Sequence, residues 1–161
     1  PGRTTMHANA RRIADFYSAF QRRDAAAMGA CYHDAARFSD PVFTDLDAAG
    51  ARAMWAMLLA GGKDLRIEFG QVQADDTSGS AHWDAWYTFS ATGRPVLNRI
   101  DASFEFRDGL IVRHQDRFDF HRWAAQALGL PGRLLGGTGF LRRKVQGQAA
   151  ARLAQWQQRS G

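Results

Sequence analysis

The sequence predicts an α+β domain in which N-terminal helices pack on a curved antiparallel sheet, with a helical extension at the C-terminus. Three observations carry this. Apolar residues recur at helical spacing as far as Leu59, alternate with a period of two from Leu65 to the region of Phe118, and return to helical spacing at Trp123 and Leu128. A chain of 161 residues supports one core of good size rather than two. Residues 1–128 therefore read as one domain, and residues 129–161 as a basic helical extension.

Ala8 to Gln21 sets Ile13, Phe16, Tyr17 and Phe20 on one helical face, with Arg11, Arg12 and Asp15 opposite. Asp24 is placed to cap a second short helix, Ala25 to Tyr32, whose Met28, Cys31 and Tyr32 point inward. Ala36 to Ser39 reads as a short strand ending at Asp40-Pro41, since proline disfavours helix at the residue before it and cannot pair within a sheet. A third helix, Leu46 to Leu59, starts on Asp47, carries a stripe of Met54, Met57 and Leu58, and stops at Gly61-Gly62.

Leu65 to Phe69 and Ser80 to Ser90 then alternate as strands, the second with Trp83, Ala85, Tyr87 and Phe89 on one side. Asn98 to His121 forms a hairpin around Asp108-Gly109. A two-residue turn there sets Asp101 across from Asp116, while a three-residue loop from Arg107 puts Ile100, Ala102, Phe104 and Phe106 on one face with Leu110, Val112, His114, Asp116 and Phe118. The second register joins two apolar sets and is the one expected. It turns Asp101 outward and leaves His114 and Asp116 as polar groups on an apolar wall. A two-residue turn at Thr92-Gly93 would pair Trp83 with Ala102 and Tyr87 with Asn98, placing the aromatic face of the third strand on that same wall. A last helix, Phe140 to Gln158, has Leu141, Val145, Leu153 and Trp156 on one side, a stripe suited to docking on the domain or on a partner subunit.

No apolar run approaches the roughly 20 residues that span a bilayer, so no membrane span is expected. The start lacks the apolar core of a secretory signal, and Pro1-Gly2 reads as a cloning remnant ahead of Met6. One cysteine, Cys31, excludes an internal disulfide and suits a cytoplasmic protein. The net charge is +5, but the arginines are scattered and enriched only in the last thirty residues, so no nucleic-acid partner is expected. The His, Asp and Glu residues lack ligand spacing for a metal. No phosphate loop, nucleophile elbow or paired-cysteine motif is present, and no cofactor is expected.

Two segments carry a family resemblance: Tyr32 to Pro41, ending in Asp40-Pro41, and Phe104 to Ile111, leading into His114, Asp116 and Phe118-Asp119. With the order of elements, they resemble the nuclear transport factor 2-like (NTF2-like) superfamily, in its SnoaL-like and ketosteroid isomerase-like branch, over residues 8–125. The resemblance implies a cone-shaped fold, a small apolar ligand and a homodimer. It matches Asp40 to the isomerase base, and Phe16, with Tyr17 beside it, to the tyrosine of the isomerase oxyanion hole. Asp101 follows Ile100 as the isomerase's second Asp follows its Ile, but Ala102 takes the inward position. Limonene epoxide hydrolases are also similar: Asp116 matches their water-activating Asp, and His82-Trp83-Asp84 falls where they carry Arg-x-Asp. Polyketide cyclases of the branch resemble the chain through Asp116 and His114.

The expected site is thus Asp40, His114 and Asp116 as catalytic groups, with Tyr17, Trp83, Tyr87, Asn98 and Phe118 against the substrate. The expected activity is cofactor-independent acid/base catalysis on a small apolar carbonyl or cyclic compound, with Asp40 or Asp116 as base and His114, Tyr87 and Asn98 donating to a developing oxyanion. Epoxide hydrolysis and a non-catalytic hydrophobic-ligand or dimerisation module are the alternatives.

Overall fold

The computed structural model describes residues 6–160, and the Pro1-Gly2 start lies outside them. The elements are α1 (Ala8–Gln21), α2 (Ala25–Ala30), β1 (Tyr32–Ser39), β2 (Leu46–Asp47), α3 (Ala48–Gly61), β3 (Arg66–Ala74), β4 (Ser78–Phe89), β5 (Arg94–Arg107), β6 (Leu110–Arg117), α4 (Phe120–Leu128), α5 (Leu130–Leu135) and α6 (Gly139–Ser160). The starts of α1, α2 and α3 agree with the sequence reading. Asp24 accepts from the Ala27 amide and Asp47 from the Gly50 amide, each relieving a donor that the helix itself cannot satisfy.

One six-stranded sheet runs β2-β1-β6-β5-β4-β3. The β3 to β6 meander is antiparallel as expected, and β1 joins β6 in parallel. That parallel pairing starts at Tyr32, which sits opposite Ile111, and it ends α2 at Ala30 and begins the strand four residues before Ala36. On α3 the buried stripe is Ala51, Met54, Trp55 and Leu59; Met57 is half-buried and Leu58 is exposed, so the inward face is rotated from the one expected.

Both hairpin registers differ from expectation. Asp108 and Gly109 both have positive φ, 55° and 74°, the signature of a two-residue type I′ turn. Arg107 accordingly faces Leu110 and Phe106 faces Ile111, but Glu105 faces Arg113. Val112 is the extra residue of a β-bulge, and it reverses which residues of β6 face inward beyond it. Ile111 is therefore buried, and His114 and Asp116 still lie on the face of Phe104 and Ala102, now opposite them. At the β4–β5 connection residues 90–93 form a four-residue loop, so Trp83 pairs with Ile100, Ala85 with Asn98 and Tyr87 with Val96. Only Gly93 is left-handed there, because a type I′ turn would force β-branched Thr92 to positive φ. The offset is two residues, and an even offset keeps the faces.

The inner face of the sheet, α1 and α3 enclose the main core, built around Phe16, Tyr17, Tyr32, Phe38, Trp55, Trp83 and Phe104. A second cluster of Val96, Phe120, Trp123, Ala124, Ala127 and Leu141 joins α4 and α6 to one end of β5. The α6 stripe docks within the chain: Leu141 and Leu153 are buried, Val145 and Trp156 half-buried. No helix among the described residues is long and apolar enough to cross a membrane.

Candidate active site

His114 and Asp116 reach the core because β6 carries them on its inner face after the Val112 bulge. They are 1% and 2% exposed, charged or chargeable groups in an aromatic interior. The imidazole lies among Phe104, Phe38 and Phe16, with ring centroids 4.4, 4.9 and 5.6 Å away.

A hydrogen-bonded chain explains how this interior tolerates them. Trp55 Nε1 donates to the Tyr32 hydroxyl at 2.9 Å, that hydroxyl lies 2.8 Å from His114 Nδ1, and His114 Nε2 lies 2.9 Å from Asp116 Oδ1. Indole nitrogen is only a donor, so the Tyr32 oxygen accepts from Trp55. An ionised Asp116 is only an acceptor, so Nε2 donates to it, and Nδ1 is then the nitrogen that accepts the Tyr32 proton. Both ring nitrogens of His114 are occupied, so it orients the carboxylate and has no donor left for a bound molecule. Among the described residues, no group hydrogen-bonds the second carboxylate oxygen of Asp116.

Asp40 sits at the end of β1, as the sequence placed it. Its Oδ1 accepts from the amides of Val42 (2.7 Å) and Phe43 (2.6 Å), while no described donor reaches Oδ2. Burial, and after it the charge of Asp116, push its pKa up to about 7 against the pull of those two amides. The Arg142 guanidinium on α6 adds to that pull, and Gln146 of the same helix donates to the Pro41 carbonyl. The extension thus reaches the Asp40 corner.

Tyr17 is fully buried and Trp83 is 6% exposed, and among the described residues neither the Tyr17 hydroxyl nor Trp83 Nε1 has a hydrogen-bond partner. Each is a buried donor without a described acceptor, which normally costs about 1–3 kcal/mol. Burial and then the charge of Asp116 raise the Tyr17 pKa well above its usual value, so the phenol keeps its proton. Tyr87 accepts from Trp123 Nε1 at 2.7 Å, and burial lifts its pKa to about 12. Asn98 is half-buried opposite Ala85 rather than Tyr87, and half-buried Phe118 packs against both core clusters.

Tyr32, Trp55 and Trp123 are not legible in the sequence as site residues. Tyr32 has a usable signal, since it opens the segment that ends in Asp40-Pro41. Trp55 lies one position off the helix stripe that the apolar spacing suggests, and Trp123 lies on a helix whose docking partner no local pattern names.

His82, Asp84 and Asp101 face outward, as expected. His82 Nδ1 and Nε2 lie 2.8 Å from Asp101 and Asp84, and these bonds raise its pKa, Asp101 first. The His82-Trp83-Asp84 triplet therefore splits its polar members from Asp116 by the thickness of the sheet. No group of three or more candidate metal ligands occurs among the described residues. An open hollow of about 420 Å³ lies beside Arg37, Asp45, Glu105, Arg107 and Arg113, with His114 also in its lining, and one of about 200 Å³ beside Gln21 and Arg66.

The model of the SnoaL-like domain family matches residues 13–114. No curated protein matches the sequence significantly. Among solved structures, IdmH of Streptomyces antibioticus, a candidate polyketide cyclase, superposes with a TM-score of 0.64 at 24% identity, over 77% of this chain and 100% of its own. An epoxide hydrolase of the LEH-like type from M. tuberculosis gives 0.62 at 18% identity, over 80% and 96%. AclR of Streptomyces galilaeus, a candidate hydroxylase, gives 0.65 at 16% identity, over 87% and 99%. At these identities the likeness is one of fold.

Proposed function

The chain belongs to the SnoaL-like domain family, and from that membership we propose that it is an acid/base enzyme for a small, largely apolar carbonyl or cyclic substrate, with Asp116 as the base. The observation that carries this is a buried carboxylate with one oxygen held by His114 and, among the described residues, no partner on the other. A carboxylate so placed, oriented by a relay that ends at Trp55, is preorganised to take a proton from a carbon beside a carbonyl. Tyr17 Oη and Trp83 Nε1, the two stranded donors, would receive the oxygen on which charge develops. Asp40, with its pKa near 7, would return a proton. Tyr87, Asn98 and Phe118 would line the substrate's path.

Proton transfer between carbon and oxygen requires only these groups, so the proposed reaction is cofactor-independent. The epoxide hydrolase alternative is less well supported, since His82 and Asp84 bond each other on the far side of the sheet. We also propose the cytoplasm as its compartment, because Cys31 is free and buried, and a homodimer as its assembly, as the family resemblance implies.

A second reading, a binding module without chemistry, is favoured by one observation: neither described hollow is lined by Asp116. Exchange of α-protons into D₂O, followed by NMR across cyclic β-diketones, 3-ketosteroids and aromatic polyketide fragments, separates the two. Exchange above buffer with at least one probe supports the enzyme. Probes that bind by thermal shift yet never exchange would establish the module instead.

A further inference from the structure

The charge of this chain is segregated. Residues 120–161 contain seven Lys and Arg and no Asp or Glu, leaving fourteen bases against sixteen acids in residues 1–119. Within this basic segment lie four of the six exposed large hydrophobic side chains among the described residues: Leu130 (63%), Leu134 (70%), Leu135 (43%) and Phe140 (65%).

Their exposure is built in. A Cβ on Gly132 would fall 1.9 Å from the Ala124 carbonyl oxygen, and one on Gly136 would fall 2.6 Å from the His121 ring. α5 thus packs on α4 through Gly132, with Gly136 at its end against His121, and projects its leucines outward, while His121 Nε2 holds the Arg133 carbonyl at 2.9 Å. On α6, Leu141 and Val145 face inward, which turns Phe140 outward beside Arg143 and Lys144 at helical spacing. The result is a set of outward apolar side chains interleaved along the chain with Arg133, Arg143 and Lys144.

We propose that this tip, α5 with the first turn of α6, is a peripheral docking surface for an anionic lipid bilayer. Apolar side chains that enter the headgroup boundary, ringed by Arg and Lys that meet lipid phosphates, are the chemistry such a surface requires. Nucleic acid would leave three leucines without a role, since leucine neither stacks on bases nor donates to phosphate. A two-fold contact between copies would bring Arg133, Arg143 and Lys144 toward their own like charges, with no acid in the segment to answer them. Both described hollows are lined by residues before 120, and the patch itself projects. The surface adjoins the Asp40 corner through Gln146 and Arg142, so an apolar compound dissolved in lipid would meet the domain there. Docking of this kind is independent of any chemistry at Asp116.

Flotation of the full chain with vesicles tests it. Equimolar phosphatidylglycerol and phosphatidylcholine should bind about tenfold or more better than phosphatidylcholine alone, with binding weakened by salt. Leu134→Ser with Phe140→Ser, and separately Arg143→Glu with Lys144→Glu, should each lower the partition about tenfold while leaving the thermal melt unchanged. Leu134→Trp supplies an independent readout, a blue-shifted emission on adding the anionic vesicles. Absence of binding to those vesicles at low salt, undiminished binding by the two double variants, or an unshifted Leu134→Trp spectrum would overturn the proposal. So would a self-association that the Leu134→Ser/Phe140→Ser variant abolishes, which would mark the tip as a contact between copies.

Discussion

His114 Nε2 donates to Asp116 Oδ1 across 2.9 Å with both side chains sealed from solvent, and the Tyr32 hydroxyl on Nδ1 agrees in placing the imidazole proton on Nε2. With both ring nitrogens engaged, the imidazole aims the carboxylate without competing for its second oxygen.

Removing the Tyr32 hydroxyl tests the relay. Tyr32→Phe strands His114 Nδ1 and Trp55 Nε1 in the core, and should cost about 1–3 kcal/mol in urea unfolding. The ¹⁵N shifts of His114 should then show a mixture of tautomers, where the wild type shows only the Nε2–H form.

Asp40 makes stability depend on pH in a stated direction. Its folded pKa of about 7 lies above the roughly 3.9 of an unfolded Asp, so between those values the folded state holds more protons than the unfolded. Stability should fall as pH rises across that window and level off above it. Asp40→Asn keeps an acceptor for the Val42 and Phe43 amides, so it should flatten the profile and be the more stable protein at pH 8, by on the order of 2–4 kcal/mol. Melts at pH 4.5 and pH 8 check this: equal gaps at both would refute it.

Tyr17 gives opposite expectations for stability and function. Deleting a stranded donor while keeping the ring removes a cost, so Tyr17→Phe should fold at least about as stably as wild type. Trp83→Phe, by contrast, also opens a cavity where the indole packs on Tyr17, Phe20 and Trp55, and should lose some stability. Each variant should slow α-proton exchange by about 10²-fold or more if the donor receives a substrate oxygen. A purely structural role would leave the exchange rate unmoved.

Parity, rather than exact register, assigns a strand residue to a face, and this is why the sequence orients His114 and Asp116 inward although both hairpin loops differ from those expected. The β4–β5 offset of two residues preserves parity. In the β5–β6 hairpin the type I′ turn alone would put Asp116 across from Asp101, and the bulge at Val112 restores the other face. The apolar pattern demands that outcome, and Asp108-Gly109 demands the tight turn. Only a bulge satisfies both, and no single-strand periodicity reveals one. The Tyr32–His114 contact is less legible still, since it joins residues 82 positions apart through a parallel pairing that no turn announces. The helix caps at Asp24 and Asp47 are legible because their cause is local.

Whether Asp116 is the proton acceptor is tested most directly by the rate of α-proton exchange into D₂O in wild type and Asp116→Asn, with a probe that binds both equally. Asn conserves shape and can still accept from His114 Nε2, so the two proteins differ in the base and little else. A base at Asp116 predicts a fall of about 10²–10⁴-fold with binding and fold retained. Exchange at the wild-type rate in Asp116→Asn would contradict it.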